Sequence, residues 1–434
     1  MLKHSKFNFY TKNKSGELLL YNSYLGVRSL CKLKKQNDID CFLANEFDKM
    51  NTGTLHSLIE KGFIVNSDEN ESAKAYSQLL KVISPKTLNL IINPTEKCNF
   101  KCVYCYESFK HGEMSEATQS KIISFVRNNI HNYTGLNISW FGGEPLLSAP
   151  VIMSLSDKLI QICKFNKRSY SSSITTNGYL LDFAMFQDLL KRGINSFQIT
   201  IDGPKEIHDK QRILASKNGT YDRIVENLNM IKKYKAKNFN VVLRVNFTEE
   251  IFDHFDSFLE SVSAFFDNDP RFMLSCYKVG DWGGVFPQGY KENLVQDASQ
   301  GMRRIYTKIL EADHIIPIRF DFLDPGSGLC YAGKKNNFLI SSNGSVHKCT
   351  LDFEDKNSTV GQLINNRIEI SSDYFKYICV PTTCNDYLNC FFSPVCTGDP
   401  CPIKGKNERR CSFVKDNLDV VLQIADKNGL VDLI

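Results

Sequence analysis

No long hydrophobic run interrupts this sequence. Over 434 residues no stretch approaches the roughly 18 consecutive apolar residues of a membrane-spanning helix. The opening MLKHSKFNFYTKNKSG lacks the apolar centre of a secretory signal. A dominant charge sign is missing too: 53 Lys and Arg against 48 Asp and Glu leave +5 over the whole length, too little to argue for a nucleic-acid or membrane partner. Internal repeats and low-complexity tracts are absent, and 42% hydrophobic with 23% charged residues excludes a largely disordered chain. The expectation is a soluble cytoplasmic protein of about three domains.

Cysteine, by contrast, is abundant and unevenly spread. There are 15, and an odd number excludes a fully paired intramolecular disulfide framework. Three crowd into Cys98, Cys102 and Cys105, and eight lie between Cys330 and Cys411. In a chain that is not exported, clustered thiols stay reduced and serve metals or catalysis. Cys31, Cys41, Cys163 and Cys276 stand apart and read as small buried hydrophobes.

Residues 1–87 read as a small unit. Short strands at Asn8–Lys12 and Glu17–Ser23 flank a turn, and a helix at Thr54–Ile64 stops near Gly62. The pattern resembles a winged-helix-like peptide-recognition (RRE-like) domain. Residues 88–319 alternate strands with amphipathic helices, which implies a parallel sheet with right-handed crossovers. The strands fall near Leu88–Asn93, Asn137–Phe141, Tyr170–Thr176, Phe197–Asp202, Asn240–Phe247 and Arg271–Val279. Spacing alone leaves a closed barrel, a partial barrel and a doubly wound sheet open. Residues 320–434 are irregular and cysteine-rich, a composition that needs metal to fold, and close with a helix at Val414–Asn428.

Cys98-Asn-Phe-Lys-Cys102-Val-Tyr104-Cys105 directly follows the first of these strands. Three thiolates so spaced wrap one face of an iron–sulfur cluster and leave one iron open. Zinc would need a fourth ligand at a regular spacing, and only His111 is near. The loop resembles the signature of the radical S-adenosylmethionine (SAM) enzymes, with an aromatic, Tyr104, before the last cysteine. Further segments at successive strand ends support the resemblance: Gly142-Gly143-Glu144-Pro145, Thr176-Asn177-Gly178, Asp202-Gly203-Pro204 with His208, Asp209 and Arg212, and Arg244-Val245-Asn246. The resemblance implies a partial (β/α)6 barrel in which Cys98, Cys102 and Cys105 hold a 4Fe–4S cluster that binds SAM. On that resemblance Gly142 and Gly143 admit the methionyl group, Glu144 answers its ammonium, and Tyr104, Asn177, Asp202 and Arg244 complete the cofactor site.

The second cysteine group resembles the SPASM extension, a C-terminal domain holding two auxiliary 4Fe–4S clusters. The resemblance assigns Cys330, Cys349 and Cys401 to an inner cluster and Cys384, Cys390, Cys396 and Cys411 to an outer one. Two gaps are wider than the family's, those of Cys384–Cys390 and Cys396–Cys401. The inner set is one thiolate short: either Cys379 completes it or an iron stays open to a substrate thiolate. A zinc ribbon is the competing reading, which would make the chain a metal-stapled binding protein and no enzyme.

Together these likenesses imply a maturase that installs a thioether or carbon–carbon link in a ribosomally made precursor peptide. An electron donor such as flavodoxin or ferredoxin would serve it, with neither nucleic acid nor membrane as partner. The alternative enzyme is of the anaerobic sulfatase-maturating type. Those relatives carry an Asp directly after the cysteine at position 349, whereas here the residue is Thr350, with Asp352 two places on as a weak catalytic candidate. Tyr277, Trp282 and Phe286 are candidates for the border of the substrate channel.

Overall fold

The computed structural model describes residues 1–267, 269–351, 358–378, 387, 389–396 and 411–434; Asp352, Cys379, Cys384 and Cys401 lie outside the described residues. The N-terminal part comprises strands β1 (Leu2–His4), β2 (Asn8–Lys12), β3 (Leu18–Asn22), β4 (Cys31–Leu33) and β5 (Ile64–Asn66) with helices α1 (Gln36–Ala44), α2 (Thr52–Glu60) and α3 (Glu71–Ile83). Six strands follow, β6 (Thr87–Ile92), β7 (Gly135–Trp140), β8 (Ser169–Thr176), β9 (Ile194–Thr200), β10 (Asn240–Phe247) and β11 (Phe272–Lys278). Between them run α4 (Glu116–Asn129), α5 (Ala149–Phe165), α6 (Phe183–Lys191), α7 (Lys205–Gln211), α8 (Tyr221–Lys232) and α9 (Phe255–Phe266).

The six strands are parallel and lie side by side in chain order. Sequential order with right-handed crossovers puts every helix on one face, whereas a doubly wound sheet reverses direction midway. Since β11 does not pair with β6, the barrel is open. Period-two alternation shows why: Leu88, Leu90 and Ile92, then Leu136, Ile138 and Trp140, then Val241, Leu243 and Val245 are buried under the helices. The opposite face carries half-buried and exposed polar groups that bond across strands, Ser171 to Asn137 at 3.1 Å and Ser173 to Ser139 at 3.1 Å. It is therefore not the apolar packed interior of a closed barrel.

Local chemistry places the helices. Ser115 Oγ accepts the Thr118 N–H and starts α4, a cap worth about 1 kcal/mol, and Asp182 caps α6 through the Met185 N–H. The stretch Pro145–Phe165 is long and apolar enough on average to cross a membrane, with mean hydropathy 1.3, although it holds no unbroken apolar run of that length. Scattered polar residues hide it from a search for unbroken apolar runs. In the fold its Val151, Ile152, Leu155 and Leu159 are buried in the main core.

Beyond β11 and helix α10 (Ala298–Glu311), strand β12 (Asn337–Ile340) pairs in parallel with β6 and extends the sheet into the cysteine-rich region. An antiparallel run continues through β13 (Ser345–His347), β14 (Gly361–Ile364) and β15 (Arg367–Ile370). The last strand, β16 (Asp432–Leu433), returns to the N-terminal part and pairs with β4. There Leu18, Leu20, Phe42, Leu58 and Phe63 form a small separate core, while Leu19, Tyr21 and Leu30 point into the main one. The Tyr21 hydroxyl donates to the Leu323 carbonyl at 2.6 Å.

Candidate active site

The cysteine loop stands at the C-terminal end of β6 and is held by main chain. Asn99 O accepts from Ala215 N at 2.9 Å, Lys101 N donates to Ile213 O at 2.8 Å, and Val103 N donates to Gln211 O at 3.0 Å. Phe100, 1% exposed, anchors the loop in the core. Cys98 Sγ accepts the Phe100 N–H at 3.4 Å. Burial pushes the Cys98 and Cys105 thiols up to about 12 and raises Cys102 as well, so metal must displace protons to bind here.

Beside the loop lies a cavity of about 400 Å³ lined by Cys102, Cys105, Tyr106, Glu107, Trp282 and Leu351, among others. Trp282 borders it together with Gly283 and Gly284, whereas Tyr277 and Phe286 are not among its lining residues. A Cβ on Gly284 would stand 2.5 Å from the Cys105 carbonyl oxygen, so only glycine lets the segment after β11 lie against the cysteine loop.

Gly142 and Gly143 make a second close approach. Gly142 has φ +109°, and a Cβ there would meet Thr95 O at 2.6 Å; on Gly143 it would meet Lys97 O at 2.3 Å. Glu144 follows, with no exposed surface. Its Oε1 accepts from Leu146 N at 3.0 Å and Thr176 Oγ1 at 2.7 Å, and its Oε2 accepts from Asn177 N at 2.7 Å. Burial raises its pKa, with these donors opposing. The carboxylate expected to meet a ligand's ammonium thus clasps the end of β7 to the end of β8. Asn177 in turn donates from Nδ2 to Asn99 Oδ1 at 2.8 Å, reaching the cysteine loop.

Asp202, at the end of β9, is 1% exposed. The Tyr104 hydroxyl donates to its Oδ2, and Asn246 N donates to its Oδ1 at 2.7 Å. Arg212 donates to the Tyr104 oxygen at 2.7 Å and lies 3.8 Å from the Asp202 carboxylate. Arg244 stands beside this group, bonded to Asn246 Oδ1 at 2.8 Å and stacked 4.5 Å over the Tyr277 ring. His208 completes the support: Asp202 N donates to Nδ1 at 3.2 Å, and Nε2 bonds Thr220 Oγ1 at 3.0 Å, which donates to Arg212 O. In the sequence His208, Arg212 and Asn246 stand only as parts of motifs, and their joint action emerges in the fold. The i, i+4 spacing of His208 and Arg212 was the available signal; nothing in the sequence marks Asn99.

Of the second cysteine group, Cys330 and Cys349 both lie within electrostatic reach of Tyr331. Cys390 and Cys396 lie near Tyr387, and Cys390 and Cys411 near Lys415. Leu351 N donates to Cys349 Sγ at 3.3 Å, so the wall of the cavity is tied to this group. Thr350 bonds the Tyr331 hydroxyl through both Oγ1 and N–H, at 2.7 and 2.9 Å. Among the described residues no three His, Cys, Asp or Glu side chains gather around a point that would hold one metal ion. The donor set of the loop, three thiols beside a cavity with backbone packed too closely for a Cβ, fits a thiolate-held cluster, in which each sulfur takes a separate iron.

Strand-end site, open parallel barrel and cysteine loop define the class, and comparison agrees: residues 92–262 match the family model described as the radical SAM superfamily, so the chain carries a radical SAM domain, the mark of an enzyme. Among curated proteins it is 30% identical over 172 residues to a cysteine-type anaerobic sulfatase-maturating enzyme of Clostridium novyi, covering 37% of this chain and 44% of that one. The match thus spans less than half the length of that relative. A serine-type enzyme of the same kind from Bacteroides thetaiotaomicron is 22% identical over 362 residues, covering 73% and 83%. Among solved structures, native anSMEcpe with bound AdoMet and Kp18Cys peptide superposes with TM-score 0.57 at 18% identity, over 79% of this chain and 98% of that one. Streptococcus suis SuiB bound to precursor peptide SuiA gives 0.52 at 16% identity, over 95% and 99%. These two likenesses are of fold.

Proposed function

We propose that this protein is a radical SAM peptide maturase that oxidises a ribosomally made precursor and forms a thioether or carbon–carbon link in it. The observation that carries this reading is the cavity bounded by Cys102 and Cys105 on one wall and by Leu351, bonded to Cys349, on the other. When bound, the Cys98–Cys102–Cys105 cluster and SAM would supply a 5′-deoxyadenosyl radical that abstracts a hydrogen atom. The chain's own residues hold and screen that chemistry. Glu144 fixes two strand ends, Gly142 and Gly143 bring main chain close to the cysteine loop, and the Gly284 segment covers Cys105. A linked product requires loss of a second electron and a proton, and we assign the electron to two auxiliary clusters held by Cys330, Cys349, Cys384, Cys390, Cys396, Cys401 and Cys411, with Cys379 or a substrate thiolate completing the inner one.

Coverage of 95% by a fold neighbour whose structure holds a precursor peptide supports the peptide substrate, with residues 1–87 as the recognition unit. A sulfatase-maturating activity is the second reading, favoured by the clostridial relative. Against it stands Thr350, a hydroxyl paired with Tyr331 where those relatives carry a carboxylate. A flavodoxin or ferredoxin would supply the first electron.

The deciding experiment is anaerobic reconstitution followed by incubation with SAM, a reductant and candidate peptides, read by mass. Three 4Fe–4S clusters, roughly twelve irons, are expected, with a loss of two hydrogens from a precursor peptide. An aldehyde on a sulfatase-type peptide would select the second reading. Zinc in place of iron, with no SAM cleavage, would refute both.

A further inference from the structure

Arg212 is a buried cation whose charge the protein does not fully answer. It is 7% exposed and lies 3.8 Å from Asp202, too far for a direct hydrogen bond. One Nη donates to the Tyr104 oxygen, and among the described residues its Nε finds no partner. The guanidinium also sits 5.6 Å over the ring of Phe100, the anchor of the cysteine loop. Asp202, the carboxylate paired with it, already accepts from Tyr104 and from Asn246 N. Desolvating a guanidinium costs free energy that such loose pairing recovers only in part, so a further electron-rich partner is called for.

That partner lies on the loop. Tyr104 stands between Cys102 and Cys105, and the guanidinium that donates to its hydroxyl at 2.7 Å and covers the Phe100 ring is thereby held against the cysteine loop. We propose that Arg212, positioned by the Tyr104 hydroxyl, is the fixed positive charge that sets how readily the metal group on Cys98, Cys102 and Cys105 accepts an electron. Adding an electron adds negative charge, and a nearby cation in a water-excluded site stabilises the reduced form. Arg212 therefore acts as a positioning residue, through the cluster and without touching substrate.

This inference rests on the radical SAM reading, and wild-type protein that takes up no iron on reconstitution refutes that reading before any variant is made. The test is an EPR-monitored redox titration of reconstituted full-length Arg212→Gln, Arg212→Met, Arg212→Lys and Tyr104→Phe. The neutral variants should move the midpoint of the SAM-binding cluster to more negative potential. Arg212→Lys should stay nearer the wild-type value, and Tyr104→Phe, which keeps the charge and loses its tether, should fall between. If both neutral variants fail to take up iron while Arg212→Lys takes it up normally, a need for the charge is established by assembly. A neutral variant with full iron content and an unshifted midpoint overturns the proposal. So does failure of Arg212→Lys together with the neutral variants, because shape would then be what the site requires.

Discussion

Glu144 is a carboxylate that three donors reach from two strands, with no surface left to water. Glu144→Gln replaces one acceptor oxygen with an amide nitrogen facing those donors and leaves at least one of them unpaired. A loss of about 1–3 kcal/mol is expected, measurable as a lower urea midpoint, whereas a residue serving only a ligand would leave the metal-free protein unchanged. His208 makes a pH prediction. Its Nδ1 accepts from a backbone N–H, so a proton there would face another donor, and burial drives its pKa down to about 3 from 6.5. Below pH 6.5 the unfolded chain binds a proton that the folded site refuses, so stability falls as the pH drops from 6.5 toward 3. His208→Asn keeps an acceptor for Asp202 N and should remove this slope. One pH unit below 6.5, at pH 5.5, wild type should have lost about 1.4 kcal/mol more than the variant relative to pH 7.5. Equal losses in denaturant titrations would exclude His208 as the source.

At the scale of elements, the cysteine loop is a clamped segment. The 211–215 stretch holds it from one side and the segment after β11 covers it from another. The covering segment is itself braced by the Asp281–Lys291 ion pair at 2.6 Å and by Phe286 stacked on Tyr290. Gly284→Ala would force it off the Cys105 carbonyl, with little effect on the sheet. Iron should then leave the reconstituted variant faster than wild type when a chelator is added, at unchanged circular dichroism; equal rates would show that the segment does not guard the site. Most strands and helices of this region were legible because their periodicities are local. Asn240–Phe247 is found with its expected bounds, and Ser115 and Asp182, short polar residues at helix starts, cap α4 and α6. The clamp was not legible, because its partners lie about 110 residues apart in the chain and are main-chain groups without a residue signature.

For the whole molecule, the ends of the chain meet. Strand β16 completes the N-terminal sheet, and Leu19, Tyr21 and Leu30 belong to the main core. Deleting residues 1–87 would therefore expose apolar surface of the barrel as well as remove the recognition unit proposed above, so it is a poor test of peptide binding. Removing only residues 430–434 is cleaner: amide exchange should quicken in β3 and β4 while β6 to β10 stay protected, and unchanged exchange in β4 would show that β16 adds nothing to the sheet.

By itself the sequence determined the order of elements, the open parallel barrel through its likeness to the radical SAM enzymes, and the three-cysteine loop with its glycines. Those features depend on short-range periodicity or on residue types that chemistry makes hard to replace. Only the tertiary structure decided that Glu144 and Asp202 are occupied by protein donors, that Arg212 stands beside the cysteine loop, that β12 extends the barrel sheet into the cysteine-rich region, and that β16 joins the separate N-terminal sheet. A carboxylate's role depends on which donors reach it through space, and a strand's partner on which edge is left unpaired after the rest has folded; neither is written in neighbouring residues.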